Sequence, residues 1–110
     1  MTPETKLKTE ILAYLKRLKA AGEPIWWYKV HGSRYQMAGV PDLDIVYKGL
    51  AIKLEAKAGD KQPTKLQEHV MAEIRAAGGV ASVVRSVGDV VTILSRIPSK
   101  KNPQIPRIRD

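Results

Sequence analysis

The segment DLDIVYKGLAIKLEAK, residues 42–57, restricts the possible folds of this chain more than any other. Apolar and polar residues alternate on both sides of Lys48-Gly49, a dipeptide typical of a tight turn. The pattern predicts a β-hairpin with strands at about 42–47 and 50–57. Charged residues nevertheless interrupt both strands where a core should form, namely Asp42, Asp44, Glu55 and Lys57.

The residues before the hairpin predict a helix and a strand. Thr2 is a plausible N-cap and Pro3 suits the first helical position of a helix over residues 3–20. Its buried stripe consists of Leu7, Ile11, Leu15 and Leu18. The β-branched and aromatic run at 25–30 predicts a strand, in which one of Trp26 and Trp27 faces the core, and residues 31–39 predict a polar loop.

The residues after the hairpin predict two more helices around one more strand. Pro63 opens the first helix and Gly78 ends it, with a stripe formed by Leu66, Val70, Ile74 and Ala77. A strand follows at 80–84, and Ser86 caps a short helix whose inner side carries Val90, Val91 and Leu94. The resulting order, α-β-β-β-α-β-α, predicts an α/β (α+β) fold with a mixed central sheet flanked by helices.

Length and composition limit the class of protein. A chain of 110 residues has room for one domain, which we expect over residues 1–97, and the basic, proline-rich segment 98–110 predicts a flexible tail. The chain has no cysteine and no apolar run long enough to span a bilayer, so we expect a soluble intracellular protein without a membrane partner. A net charge of +8 favours a polyanionic partner, most commonly nucleic acid.

The geometry of the predicted hairpin also accounts for the charged residues in its strands. Because strand side chains alternate between faces, Glu55 and Lys57 share a face, and antiparallel pairing places Asp42 beside them. Two adjacent carboxylates need a compensating charge, and together with the backbone carbonyl of Ala56 they suit Mg²⁺ or Mn²⁺. Lys57 could then orient or activate an attacking water.

Each of these residues also has a purely structural interpretation. An Asp after Pro is commonly a turn residue, and a Glu-x-Lys strand often forms a solvated face with cross-strand ion pairs. Asp44 suits a surface pair or an edge position better than Asp42 does, and Lys53 either reaches a phosphate or lies along the surface. A basic nucleic-acid-binding module with structural acids therefore stays the alternative to an enzyme.

The order of the motifs supports the enzyme. Gly39-Val40-Pro41-Asp42-Leu43 matches a G-x-P-D motif, Glu55-Ala56-Lys57 matches E-x-K, and Gln67 follows on the next helix. In these motifs the sequence resembles the PD-(D/E)xK nuclease superfamily and, within it, the phage-type stand-alone members of the virus-type replication-repair nuclease (VRR-Nuc) family. The resemblance extends from about residue 2 to residue 95 and includes Thr2-Pro3-Glu4.

The resemblance implies a restriction-endonuclease-like core that cleaves DNA phosphodiester bonds with Mg²⁺ or Mn²⁺. It assigns Asp42 and Glu55 as metal ligands, Lys57 as the catalytic lysine, and Gln67 as an amide near the attacking water or a phosphate. Small relatives resemble Holliday-junction resolvases, so we expect a homodimer acting on branched DNA in a phage or a bacterial host cell, and no small-molecule substrate. A flap- or nick-directed nuclease is the alternative within this class.

Two further groups of residues complete the predicted site. The loop residues His31, Ser33 and Arg34 suit contact with a phosphate backbone, although a plain surface loop is an equal alternative, and we group the basic Lys53 and Lys61 with them. An additional metal-site acid could come from the first helix. At about 100° per residue, Glu4 lies roughly 20° from Ile11, whereas Glu10 lies roughly 100° away, which favours Glu4.

Overall fold

Four strands form a mixed sheet in the computed structural model, which describes residues 1–30 and 37–99. They are β1 (Ile25–Lys29), β2 (Leu43–Tyr47), β3 (Leu50–Ala56) and β4 (Val80–Val84), and they lie side by side in that order. The β1–β2 and β2–β3 pairs are antiparallel, whereas β3 and β4 are parallel. The predicted mixed sheet is confirmed, with strand ends that differ by about one residue from the prediction.

The β2–β3 hairpin has the predicted two-residue turn. Lys48 and Gly49 have φ angles of 51° and 80°, the left-handed conformation that a type I′ turn requires at both central positions. Tyr47 pairs with Leu50, and the register carries on to Leu43 opposite Leu54. This turn therefore fixes which residues meet at the far end of the hairpin.

Three helices complete the predicted order α-β-β-β-α-β-α: α1 (Pro3–Ala20), α2 (Lys65–Ala76) and α3 (Val87–Ser95). Thr2 caps α1 and Ser86 caps α3, as predicted. The prediction that Pro63 opens α2 is wrong by two residues. Thr64 is the N-cap, because its hydroxyl accepts a hydrogen bond from the backbone amide of Gln67 and completes a capping box.

The main core lies between one face of the sheet and the pair α1–α3. Helix α1 contacts β1, β3 and α3, and α3 contacts β4. The side chains that fill this layer are Leu7, Ile11, Leu15, Ile25, Leu43, Ile45, Ile52, Leu54, Val84, Val90 and Leu94. Helix α2 packs on β4 from the opposite face, where it borders a groove lined by Lys53, Val70 and Ile74.

Two of the predicted helix stripes need correction. In α2, Met71 is buried beside Val70, whereas Leu66 is 48% exposed and Ala77 is also exposed. Leu66 lies in the first turn, against the backbone of Gly39, so one side of it stays in solvent. In α3, Val90 and Leu94 are buried as predicted, but Val91 is 41% exposed, because this short helix covers the sheet with a narrower face than predicted.

The remaining predictions about segments concern the membrane and the tail. Among the described helices, none combines the length and the apolar character that a membrane span requires. The predicted loop 31–39 is described only at 37–39, and the predicted flexible tail only at 98–99.

Candidate active site

Asp42 and Glu55 lie next to each other at the open end of the hairpin. Leu43 pairs with Leu54, so Asp42, the residue before β2, and Glu55, the residue after Leu54 in β3, occupy adjacent positions on the other face of the sheet. Oδ1 of Asp42 accepts a hydrogen bond of 3.1 Å from the backbone amide of Ala56. The predicted proximity of the two carboxylates is therefore present.

Glu55 is the charged residue that this arrangement buries. It is 5% exposed, and no other polar or charged residue of the described ranges is buried. Burial raises the pKa of Glu55 to about 7, the nearby charge of Asp42 adds to this effect, and Lys57 and Lys8 oppose it. A bound cation that takes the place of the proton would stabilise the ionised form of this buried carboxyl group.

Two lysines face the acidic pair from different elements. Nζ of Lys57 lies 3.7 Å from Oε2 of Glu55, and Nζ of Lys8, on α1, lies 3.0 Å from Oδ2 of Asp42. Burial lowers the pKa of Lys8, but its hydrogen bond to Asp42 and the charges of Asp42, Glu4 and Glu55 outweigh burial and raise the pKa overall. Each carboxylate thus has a lysine ammonium beside it.

Sequence reasoning missed Lys8. The available signal was its position four residues after Glu4, since residues at this spacing share a helix face, and Nζ of Lys8 lies 3.8 Å from Oε2 of Glu4. Glu4 is half-buried and Glu10 is exposed. Of the two candidate acids, Glu4 lies on the face of α1 that carries Lys8 and points toward the acidic pair.

The donor set at this end of the hairpin fits a hard divalent cation. The described residues contain no group of three or more His, Cys, Asp and Glu side chains placed to hold a metal ion. Two carboxylates and a main-chain carbonyl are what Mg²⁺ or Mn²⁺ accepts when water and a phosphate complete its coordination. The desolvated Glu55 next to a second acid is the observation that supports this fit.

The other predicted site residues are placed differently. Oε1 of Gln67 accepts a hydrogen bond of 2.9 Å from the backbone amide of Thr64, so this side chain caps α2. A Thr-x-x-Gln pattern before an apolar run is a capping signal that the sequence already contained. Nζ of Lys53 lies 2.5 Å from Oδ1 of Asp44, its cross-strand partner, so Asp44 has the structural role of a surface pair and Lys53 is its partner.

The predicted DNA-contacting loop falls outside the description. His31, Ser33 and Arg34 belong to residues 31–36, which the structure does not describe. Lys61 is exposed on the loop after β3, beside Glu4 in a shallow groove. The guanidinium of Arg85 donates hydrogen bonds of 2.7 and 2.8 Å to the carbonyls of Gly59 and Lys61, which ties this loop to the end of β4.

Comparison with solved structures identifies the fold. A structure described as "VRR_NUC domain protein" superposes with a TM-score of 0.71 over 86% of this chain and 87% of its own, at 20% sequence identity. A second, described as "VRR_NUC domain", gives a TM-score of 0.68 over 87% and 98% of the two chains, at 22% identity. Comparisons with family models and with curated proteins give no match. The resemblance to VRR-Nuc proteins is confirmed for the fold.

Proposed function

From the VRR-Nuc fold, we propose that this chain is a metal-dependent nuclease that hydrolyses DNA phosphodiester bonds. One observation carries the proposal: a glutamate that is 5% exposed lies beside an aspartate at the open end of the hairpin, with a lysine 3.7 Å away. Burying two like charges together is unfavourable, and a stability role alone would be served better by apolar residues of similar volume. The net charge of +8 favours binding of a polyanion to the same molecule.

Each residue has a distinct part in this function. Asp42 and Glu55, with the carbonyl of Ala56, would hold Mg²⁺ or Mn²⁺, and the bound ion would supply Lewis-acid stabilisation of the phosphate that is attacked. Lys57 contributes a positive charge beside Glu55, where it orients the attacking water and offsets charge that develops on the phosphate. The hydrogen bond from the backbone amide of Ala56 orients the Asp42 carboxylate.

Branched DNA and a homodimer form the finer part of the proposal. One small domain carries one such site, whereas symmetric cleavage of a four-way junction needs two, which a two-fold dimer supplies. Trp26 and Tyr28 stack with ring centroids 6.5 Å apart and are 54% and 48% exposed, and Val46 beside them is 39% exposed. This exposed apolar patch lies on the face of β1 and β2 opposite the main core, and it supports a contact between copies of the chain.

The central experiment measures cleavage of labelled four-way junction, flap and linear duplex DNA by purified protein with Mg²⁺, Mn²⁺ or a chelator. We expect cleavage with either ion and none with chelator. Asp42→Asn should abolish cleavage while DNA binding is kept or tightened, because one negative charge is removed. Asp44→Asn is the matched control, since Asp44 pairs with Lys53 on the same face and should retain activity.

Three outcomes would contradict parts of this proposal. Cleavage in chelator would exclude the metal mechanism, and binding without cleavage under all conditions would favour the binding module with structural acids. A monomeric mass by light scattering at micromolar concentration, with and without DNA, would exclude the dimer and favour a flap- or nick-directed nuclease.

A further inference from the structure

Both carboxylate oxygens of Asp42 are occupied by groups of the chain itself. Oδ1 accepts the backbone amide of Ala56 at 3.1 Å, and Oδ2 lies 3.0 Å from Nζ of Lys8. The two side chains of this ion pair are only 15% and 21% exposed, for Asp42 and Lys8 respectively. Each oxygen keeps a further lone pair, but a divalent cation that coordinated Oδ2 would lie next to the ammonium of Lys8 and be repelled by it.

The two donors differ in how readily they can leave. The amide of Ala56 belongs to the backbone of β3, where Ala56 pairs with Val84 of β4, so its departure would distort the sheet. Lys8 approaches from α1 on a flexible four-carbon stem, and its ammonium can move without any change in the backbone. Oδ2 of Asp42 is therefore the oxygen whose partner, the ammonium of Lys8, can be replaced by a cation.

Lys8 also has a second partner close by. Its Nζ lies 3.8 Å from Oε2 of Glu4, one helical turn earlier and on the same face of α1. A lysine that leaves Asp42 can thus keep a favourable interaction with Glu4. This arrangement makes the exchange less costly than the loss of an isolated buried ion pair, which leaves a charge uncompensated.

We propose that Lys8 is an internal counter-ion that occupies the Asp42 side of the site in the metal-free protein and withdraws toward Glu4 when a divalent cation binds. This inference rests on the proposed function and adds to it the control of metal affinity. The ammonium neutralises the acids before the cation arrives. It also competes with the cation, so the wild-type protein binds Mg²⁺ or Mn²⁺ more weakly than the carboxylates alone would.

The first test removes the competitor. Lys8→Met keeps the length of the side chain without its charge, and Lys16→Met, at an exposed position of the same helix, is the control for the change in net charge. With Mn²⁺ as the probe, followed by electron paramagnetic resonance without DNA, we expect the Kd of Lys8→Met to fall about tenfold and that of Lys16→Met to stay within twofold. An unchanged or higher Kd for Lys8→Met overturns the inference.

The second test needs no variant, and so it stands even if Lys8→Met does not fold. In wild-type protein, Mg²⁺ titration followed by NMR of the lysine side chains should shift the ε-methylene signals of Lys8 and leave those of Lys16 in place. Lys8 signals that stay constant while Mg²⁺ binds overturn the inference. The absence of any Mg²⁺ or Mn²⁺ binding at millimolar concentration overturns it as well.

Failure of the inference and failure of the proposed function are distinguishable. A protein that binds Mg²⁺ with displacement of Lys8 but cleaves no DNA supports the inference and contradicts the nuclease. A protein that cleaves DNA with Mg²⁺, while the Mn²⁺ affinity of Lys8→Met is unchanged and the NMR signals of Lys8 stay constant, contradicts the inference and supports the nuclease. Loss of cleavage in Lys8→Met with unchanged Mn²⁺ affinity would assign Lys8 to the reaction instead, which also overturns the inference.

Discussion

Asp42 and Ala56 are joined across the hairpin by a hydrogen bond of 3.1 Å from the backbone amide of Ala56 to Oδ1 of Asp42. Ala56 directly follows Glu55, so this bond holds one carboxylate against the backbone that carries the other. The relative position of the two acids consequently depends on the β2–β3 register, which is set by the Lys48-Gly49 turn at the opposite end of the strands.

The buried Glu55 should make stability depend on pH. Its pKa is raised from 4.5 to about 7 in the folded protein, so the folded state binds this proton more strongly than the unfolded chain does. In metal-free protein, the stabilisation that comes from this proton is complete below pH 4.5 and is lost as the pH rises to about 7. Glu55→Gln should therefore be more stable than wild type at pH 8, by about 1–3 kcal/mol, and nearly equal at pH 4.5.

Urea unfolding with chelator at the two pH values measures this difference. Glu10→Gln, at an exposed position of α1, is the control for the change from glutamate to glutamine. A destabilised Glu55→Gln at pH 8 would contradict the idea that burial of this charge opposes folding.

Lys57 should contribute to the rate and little to metal binding. Its ammonium lies 3.7 Å from Glu55, beyond hydrogen-bond distance, so we expect Lys57→Ala to bind Mn²⁺ at least as well as wild type but to lose about a hundredfold or more in single-turnover cleavage. Lys16→Ala, at an exposed position of α1, is the control for the loss of one positive charge. A loss of only a few-fold for Lys57→Ala would reduce Lys57 to an ion-pair partner.

The two acids of α1 should differ in their effect on cleavage. Glu4 is half-buried, contacts Lys8 and adds to the raised pKa of Glu55, whereas Glu10 is exposed. At saturating DNA, Glu4→Gln should reduce cleavage by about tenfold or more, and Glu10→Gln should stay near wild type. An inactive Glu10→Gln beside an active Glu4→Gln would show that the helical-stripe assignment is wrong.

Gly39 should be required for the conformation of the segment that carries Asp42. Its φ is +82°, and a Cβ there would lie 2.8 Å from Cγ and 3.0 Å from the carbonyl oxygen of Leu66. Gly22 has a similar φ of +88° but open space around the added atom. We expect Gly39→Ala to destabilise by about 2–4 kcal/mol and Gly22→Ala by about 1–2 kcal/mol, since only the first adds a steric clash to the backbone strain.

Thermal or urea unfolding of both variants gives the comparison, and cleavage by Gly39→Ala should fall with its stability because Asp42 is three residues away. Equal losses for the two glycine variants would mean that the contact with Leu66 is relieved by rotation of its half-exposed side chain.

The features that the sequence determined by itself are those with local causes. The two residues of the Lys48-Gly49 turn set the hairpin register, and that register alone places Asp42 next to Glu55. Thr2 and Ser86 cap their helices through atoms three residues away. The ion pair of Asp44 with Lys53 follows from the same register, since directly opposed side chains share a face.

Tertiary structure decided the features that depend on how helices dock on the sheet. Lys8 approaches Asp42 because of the position at which α1 lies across β1 and β3. The packing of Leu7, Ile11 and Leu15 fixes that position, and helical periodicity does not predict it. The exposure of Leu66 and burial of Met71 likewise depend on which side of α2 meets β4. Periodicity identifies the apolar face of a helix, but the rotation and position of that face against its partner come from non-local packing.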